Sequence, residues 1–177
     1  MSSAKRSAYL IGVGSNLSPR YHCEQIIRAV LHRFGSCSLS SLIHTEPDGV
    51  ETPNHFINFM LYLETELSVT ELKQWTNGLE EQLGRDRSHP DRKNIDRPAD
   101  LDTLVEMPEG ELWSAGDIRE NYYRAIAAEL AGWLSGQTPR SPGLPTCVLN
   151  FEGGLEVGDG ATTIYLDRAT GHIRVVQ

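Results

Sequence analysis

Two helix-like segments, each lying between runs of residues typical of β-strands, constrain the fold of this chain most strongly. The first starts after an N-cap at Ser18, with proline at the first helical position, and ends at Gly35. The second starts at the capping box formed by Ser68 and Glu71 and ends at Gly84. Strand-like runs precede, separate and follow these helices at residues 8–13, 36–45, 56–65 and 99–105.

The order strand–helix–strand–strand–helix–strand is that of the split βαβ, or ferredoxin-like, arrangement. We therefore predict an α+β protein, with an antiparallel four-stranded sheet, helices on one face and the other face free for ligands. A third helix, starting at a capping box of Asp117 and Glu120, and a β-hairpin over residues 163–176 are expected to follow. We expect residues 1–177 to form a single domain, with residues 139–177 as a C-terminal extension whose hairpin packs on it.

Composition limits the class of function. A net charge of −8 over 177 residues argues against nucleic-acid binding, including the RNA-binding modules that share this fold. The three cysteines are too widely spaced for a zinc site or a disulfide framework. The first apolar run is too short for a signal peptide or a membrane span. We expect a cytoplasmic protein, either a monomer or a homodimer, that contacts no membrane.

The stretch over residues 84–104 combines a basic loop with two carboxylates at the start of a strand. Alternation along a strand places Asp100 and Asp102 on one face, about 7 Å apart. Two hard oxygen ligands on one face are a plausible Mg²⁺ platform, and guanidinium groups grip phosphate oxygens in a bidentate fork. The preceding loop contains five of the sixteen lysines and arginines of the chain: Arg85, Arg87, Arg92, Lys93 and Arg97.

This combination predicts phosphoryl transfer from a Mg–nucleotide. The alternative interpretation is a solvated charged loop that leads into an edge strand. We also expect residues 86–97 to form a mobile loop that becomes ordered on ligand binding, because Ile95 and one proline are its only apolar side chains.

The run over residues 56–65 has two different faces. Ile57, Phe59, Leu61 and Leu63 form an apolar face. Asn58 lies on the opposite face together with Phe56, an arrangement compatible with recognition of a flat heteroaromatic ring. A wet sheet surface with an aromatic edge is an equally good interpretation of the same residues.

Four short segments, in this order, resemble the 6-hydroxymethyl-7,8-dihydropterin pyrophosphokinase family of folate biosynthesis. They are residues 12–17 (GVGSNL), 45–49 (TEPDG), 56–58 (FIN), and 79–87 (LEEQLGRDR) followed by 97–102 (RPADLD). Together they cover roughly residues 8–105. The resemblance implies an enzyme that moves the β,γ-pyrophosphoryl unit of ATP to the hydroxymethyl oxygen of the pterin and releases AMP.

The resemblance also implies roles for individual residues. Asp100 and Asp102 correspond to the pair that binds two Mg²⁺ ions between protein and ATP, and they act in catalysis together with Arg85 and Arg97. Further positions correspond to the pterin pocket, namely Thr45, Pro47, Phe56, Asn58 and, on a looser correspondence, Tyr122. Positions that correspond to the ATP-binding residues are Glu80, Arg85, Arg87, Arg97 and, again loosely, Arg119.

The chain departs from the family pattern at three places. Asn94 occupies the position of a loop tryptophan, three residues before Arg97. The interval from Arg85 to Asp100 is about two residues longer than usual, and no Ile-Pro-His segment follows the fourth strand. A divergent paralogue that acts on another acceptor, or only binds a pterin or nucleotide, therefore stays open as an alternative.

Overall fold

A computed structural model describes residues 4–47, 52–92, 94–138 and 141–176 of the protein. Within these ranges the chain forms an antiparallel sheet and three α-helices, an α+β architecture compatible with the ferredoxin-like arrangement. The helices are α1 (Pro19–Phe34), α2 (Val69–Gln82) and α3 (Asn121–Leu134). The strands are β1 (Ser7–Ser15), β2 (Ser36–Leu39), β3 (Leu42–Thr45), β4 (Phe56–Thr65), β5 (Asp100–Pro108), β6 (Thr146–Cys147), β7 (Leu149–Asn150), β8 (Glu156–Val157), β9 (Thr162–Asp167) and β10 (His172–Val175).

The main sheet is wider than the four strands that the sequence predicts. Its described strands follow the order β10-β9-β2-β4-β1-β5, with β3 and β6 continuing beside β4, so that it has eight strands. The predicted C-terminal hairpin forms as β9 and β10, and β9 pairs with β2. The C-terminal segment thus supplies strands to the sheet at two places, because β6 also pairs with β3.

The expected single strand over residues 36–45 is divided into β2 and β3. Between the pairs Leu39–Leu61 and Ile43–Asn58 the chain has three residues against two on β4, which is a β-bulge. Ser41 is drawn out of the ladder because its backbone N–H and its hydroxyl both donate to the buried Glu129 of α3, each at 2.6 Å. The partner lies far away in the sequence, so local patterning cannot show the break.

Both faces of the sheet are covered by helices, contrary to the expectation of one free face. One face, which includes Ile57, Phe59, Leu61 and Leu63, packs against α1 and α2. On the other face Leu10 and Met60 are fully buried by α3. Apolar residues on this second face require such a layer, and the end of the sheet near Gly14 stays open as a cleft.

The helix starts are only partly as predicted. The capping box of Ser68 and Glu71 forms. The box predicted for Asp117 and Glu120 does not: Asp117 instead caps a short 3₁₀ turn together with Ser114, and α3 begins only at Asn121. Within the described residues, no helix combines the length and the apolar character needed to cross a bilayer.

Candidate active site

A cleft opens where β1, β4 and β5 lie side by side. In the register of the sheet, Gly14 of β1 is opposite Asn58 of β4 on one side and Asp100 of β5 on the other. Neighbouring strands are about 4.8 Å apart, so the Cα atoms of Asn58 and Asp100 are about 10 Å apart. The described residues lining the cleft are Gly14, Thr45, Glu46, Phe56, Asn58, Arg97, Asp100, Asp102, Glu120, Tyr122 and Tyr123.

The structure brings most of the predicted site residues to this cleft. Thr45 at the end of β3, Phe56 and Asn58 of β4, Arg97, and Asp100 and Asp102 of β5 all line it, as does Tyr122 of α3. Strand alternation produces this grouping, because Leu101, between the two aspartates, is buried in the core on the opposite face.

Two glycines of β1 allow side chains to approach the strand from this face. A Cβ atom on Gly14 would lie 2.5 Å from Asn58 Oδ1, and one on Gly12 would lie 2.9 Å from Cζ of Tyr123. Both separations are far below van der Waals contact, so any larger residue would displace the facing group. The Gly12-x-Gly14 pattern is therefore explained by close packing within a strand, and not by a phosphate-binding turn.

One side of the cleft is built around Asn58, which is 6% exposed. Its Nδ2 donates to Thr45 Oγ1 at 2.5 Å, across the pairing of β3 with β4. The rings of Phe56 and Tyr122 line the same cleft. The arrangement places one fixed amide next to aromatic surface, which suits a planar ligand with a hydrogen-bonding edge.

On the opposite side, Asp100 is held by two arginines. Arg85 Nη1 donates to Asp100 Oδ1 at 2.9 Å, and Arg97 Nη1 donates to Asp100 Oδ2 at 3.0 Å. Each carboxylate oxygen of Asp100 thus faces a guanidinium group, and the pairs are only partly open to solvent. Two guanidinium groups that converge in this way are suited to an anion with several oxygens.

Asp102 has a different environment. It forms no hydrogen bond or ion pair with the part of the chain that the structure describes, and its side chain is open to solvent at the mouth of the cleft. The protein nevertheless removes part of its hydration, and this partial burial, followed by the charges of Asp100 and Glu80, raises the pKa of its carboxyl. A cation bound here would offset that local excess of negative charge.

Glu80 lies beneath the arginine-rich side of the cleft and holds Arg85 and Arg87 in place. It is fully buried, and its Oε1 accepts a 2.8 Å hydrogen bond from the backbone N–H of Leu101. Its Oε2 pairs with Arg85 at 3.3 Å and also with Arg87. Because Glu80 has no exposed surface, it reaches a ligand only through these arginines.

Other predicted residues lie outside the group that lines the cleft. Arg85, Arg87 and Glu80 form the network beneath it, and Pro47 and Arg119 belong to neighbouring segments. Arg92 is exposed in the loop. The predicted Lys93, and residues 48 and 49 of the resembling TEPDG segment, lie outside the described residues.

Four cleft residues were not predicted from the sequence: Gly14 as a lining residue, Glu46, Glu120 and Tyr123. The two glycines alternating in an otherwise bulky strand are a signal of close approach from one face. Tyr123 gives no such signal, because it lies within the apolar stripe of α3. Its burial, followed by the charges of Tyr122, Asp100 and Asp102, raises the pKa of its phenol well above the usual value.

The donor set fits a hard divalent cation whose coordination is completed by a ligand. Asp100 and Asp102 offer carboxylate oxygens on one face. No group of three or more His, Cys, Asp or Glu side chains in the described ranges is arranged to hold a metal by itself. Mg²⁺ typically binds one or two carboxylates and takes its other ligands from phosphates and water.

Comparison with known proteins finds matches to one family of enzymes. The sequence model of 7,8-dihydro-6-hydroxymethylpterin-pyrophosphokinase (HPPK) matches residues 10–116. A 2-amino-4-hydroxy-6-hydroxymethyldihydropteridine pyrophosphokinase of Porphyromonas gingivalis is 30% identical over 138 residues, which is 73% of this chain and 94% of that protein. The enzyme of the same name from Bacillus subtilis is 33% identical over 98 residues, covering 54% of this chain and 57% of that protein.

Proposed function

Because the chain belongs to the 7,8-dihydro-6-hydroxymethylpterin-pyrophosphokinase family, we propose that it transfers pyrophosphate from ATP to the hydroxymethyl group of 6-hydroxymethyl-7,8-dihydropterin, a step of folate biosynthesis. The row Asn58, Gly14 and Asp100 is the observation that most supports this assignment. It brings the Asn58 amide and an arginine-bound carboxylate into one cleft, about 10 Å apart, a separation that suits two substrates held side by side.

In this proposal the pterin lies on the acceptor side. The Asn58 amide, oriented by its hydrogen bond with Thr45, reads the donor and acceptor edge of the ring. Phe56 and Tyr122 pack against the ring, and Pro47 belongs to the loop that borders it. Aromatic packing and a fixed amide together select a planar heterocycle with a matching edge.

The triphosphate lies on the basic side. Arg85 and Arg97 are close to Asp100 in the free protein, and we infer that they turn to phosphate oxygens when the nucleotide binds. Arg87 and Arg119 are assigned to the outer part of the nucleotide. Glu80 supports this side indirectly, since it fixes Arg85 and Arg87 from the core.

Asp100 and Asp102 would hold Mg²⁺, as two ions shared with ATP. When bound, the metal neutralises phosphate charge and orients the phosphate chain. Burial, followed by the charges of Asp100 and Glu80, raises the pKa of the Asp102 carboxyl, and a bound cation would offset those charges.

The transfer itself is a displacement at the β-phosphorus of ATP. The hydroxymethyl oxygen forms a bond to this phosphorus, the bond from the phosphorus to the α,β-bridging oxygen breaks, and AMP leaves while the hydroxyl proton passes to solvent. Arg85 and Arg97 stabilise charge on the transferred group, and Asn58 holds the pterin so that its hydroxyl faces that group.

We further propose that this chain keeps the predicted core and the predicted division into a domain and its extension. The four strands β2, β4, β1 and β5 together with α1 and α2 would form the ferredoxin-like core of a single domain. Residues 139–177 would form an extension of that domain, since its described strands β6 and β9 pair with β3 and β2.

A second candidate acceptor is supported by the loop. Asn94, in the position of the family's loop tryptophan, is exposed and its Nδ2 donates to Asp91 Oδ1 at 2.9 Å within the loop itself. It provides no ring to cover the acceptor. A planar acceptor other than the dihydropterin is therefore the alternative, with the same transfer chemistry.

Calorimetry with 6-hydroxymethylpterin, in the presence of a non-hydrolysable ATP analogue and Mg²⁺, tests the assignment. We expect binding of the pterin and, with ATP and the dihydropterin, formation of AMP. If the pterin does not bind even at millimolar concentration while the ATP analogue does, the folate assignment is wrong and the alternative acceptor is favoured.

A further inference from the structure

The side chain of Asp96 joins two loops that border the cleft. We call residues 52–55 the acceptor loop, and residues 84–92 and 94–99 the basic loop. Asp96 Oδ1 accepts a hydrogen bond from Thr52 Oγ1 at 2.6 Å, and Asp96 Oδ2 accepts one from Asn54 Nδ2 at 2.5 Å. One carboxylate of the basic loop therefore holds two side chains of the acceptor loop.

The basic loop is itself anchored at this point to the sheet. Asn16, 2% exposed and directly after β1, donates from Nδ2 to Asp96 Oδ1 at 2.9 Å. Its Oδ1 accepts from the backbone N–H of Arg97 at 2.6 Å, and its own N–H donates to the Arg97 carbonyl at 3.0 Å. Asp96 is thus a bridge between a fixed base and the acceptor loop.

The bridge lies next to both halves of the site. Arg97, the next residue, lines the cleft and pairs with Asp100. On the other loop, Asn54 is two residues before Phe56, which lines the acceptor side. A shift of either loop at Asp96 is therefore transmitted over very few bonds to a residue that faces a substrate.

The hydrogen bonds of Asp96 also make the connection between the loops sensitive to loss of its carboxylate. Within the described ranges Asp96 takes part in no ion pair, so its charge is offset by three neutral donors: Thr52, Asn54 and Asn16. Hydrogen bonds to a charged group are stronger than neutral ones, and removing the acceptor leaves several donors without a partner at once.

Resting on the proposed function, we propose that Asp96 is a positioning residue that makes binding of the pterin depend on the arrangement of the nucleotide side. When nucleotide fixes Arg97, Asp96 is fixed with it, and the acceptor loop is then held in the position that receives the pterin. Without the bridge, the two loops would respond to their ligands separately. Loss of a contact that only stabilises the fold would not separate the two responses.

The test combines hydrogen exchange with calorimetry on the full chain, using Asp96→Ala and, as a milder variant, Thr52→Val. The control is Asp91→Ala, an exposed aspartate of the same loop whose carboxylate bonds only to Asn94 among the described residues. In Asp96→Ala we expect faster exchange in a peptide covering residues 52–58 and about tenfold weaker pterin binding in the presence of the ATP analogue.

Binding of the ATP analogue alone should change less than about twofold, and Thr52→Val should show the same pattern with a smaller effect, because one of the two bonds to the acceptor loop remains. Asp91→Ala should behave as wild type. Unchanged exchange over residues 52–58 in Asp96→Ala overturns the bridge. A uniform rise in exchange across the sheet overturns it as well, since Asp96 would then only stabilise the fold.

The outcome is separable from that of the proposed function. If wild-type protein binds the ATP analogue but no pterin, the proposed function and the coupling both fail, while the exchange data still decide whether Asp96 joins the loops. If wild type binds the pterin and Asp96→Ala binds it equally well, the coupling alone is wrong.

Discussion

Asn58 donates a 2.5 Å hydrogen bond from Nδ2 to the hydroxyl of Thr45, across the only pairing that connects β3 to the main strands β4 and β1 in the described sheet. The bond fixes which edge of the amide faces the cleft. Under the proposed function, it therefore ties the recognition of an acceptor ring to the register of a four-residue strand.

From this we predict that Asn58→Ala weakens pterin binding about tenfold or more, because a ring edge left without its partner costs about 1–3 kcal/mol. Affinity for the ATP analogue should stay within about twofold of wild type. Calorimetry with each ligand measures both, and the exposed Asn150→Ala serves as a control. Unchanged pterin affinity in Asn58→Ala would remove Asn58 from the acceptor site.

Gly14→Ala should have a similar effect by a different route. Its Cβ would lie 2.5 Å from Asn58 Oδ1, so the amide must move. The matched control is Gly78→Ala within α2, where nothing lies within 4 Å of the new methyl group. We expect the control to stabilise the protein by about 0.5–1 kcal/mol and to keep pterin affinity. Gly14→Ala should lower both the stability of the protein and its affinity for the pterin. Calorimetry and thermal unfolding would show the contrast, and equal behaviour of the two variants would refute it.

For the carboxylate pair, we predict that Asp100→Asn and Asp102→Asn each remove most of the activity. Binding of the ATP analogue should depend on Mg²⁺ in wild type and lose that dependence in both variants, because each carboxylate offsets metal charge next to the phosphates. Titrations in Mg²⁺ and in EDTA provide the measurement. Equal affinity of the wild type under both conditions would contradict a metal role for this pair.

The pKa of Asp102 leads to a prediction about stability. Partial burial, and then the charges of Asp100 and Glu80, raise this pKa in the folded protein. The contribution of Asp102 to stability is therefore fully present below its ordinary pKa of about 3.9 and is lost as pH rises through the raised value. Asp102→Asn should unfold at a higher Tm than wild type at neutral pH, and the gap should close below about pH 4.

Thermal melts between about pH 3 and about pH 8 would follow this gap. Glu156→Gln, at an exposed position for which no cleft contact exists among the described residues, is a control for the loss of one negative charge. A lower Tm for Asp102→Asn at neutral pH would mean that the ionised carboxylate stabilises the free protein.

The basic loop should become protected when the site is filled. Arg92 is exposed and suited to tryptic cleavage, and we predict that the ATP analogue together with the pterin slows cleavage there more than either ligand alone. The exposed Arg168, on the hairpin between β9 and β10, gives an internal control in the same digest. A rate of cleavage at Arg92 that neither ligand changes would argue against a closing loop.

Short-range patterns predicted the parts of the site that lie on single strands. Alternation was sufficient to place Asp100 and Asp102 on one face of their strand, and Asn58 and Phe56 on one face of theirs, because the period of a strand is two residues. The structure shows these faces turned into the same cleft. Their roles toward substrates and metal stay predictions.

Features that depend on distant partners could not be predicted in this way. The break between β2 and β3 results from Ser41 bonding to Glu129 on α3. The covering of the second sheet face by α3 was missed because an apolar helical stripe does not show which surface it packs on. In the sequence Asp96 is one charge in a loop of mixed charge, whereas the structure shows its two contacts to the acceptor loop.

The way β3 is completed has a consequence for the order in which the protein matures on the ribosome. The outward N–H groups of Leu42 and His44 donate to the carbonyls of Gly158 and Pro145, about a hundred residues later in the chain. At the usual rate of about 5–20 residues per second, the strand bearing Thr45 waits about 5–20 seconds for these partners. During that interval the nascent chain presents β3 as an open edge, so the strand bearing Thr45 completes its native hydrogen bonds only after residues 145–158 have been made.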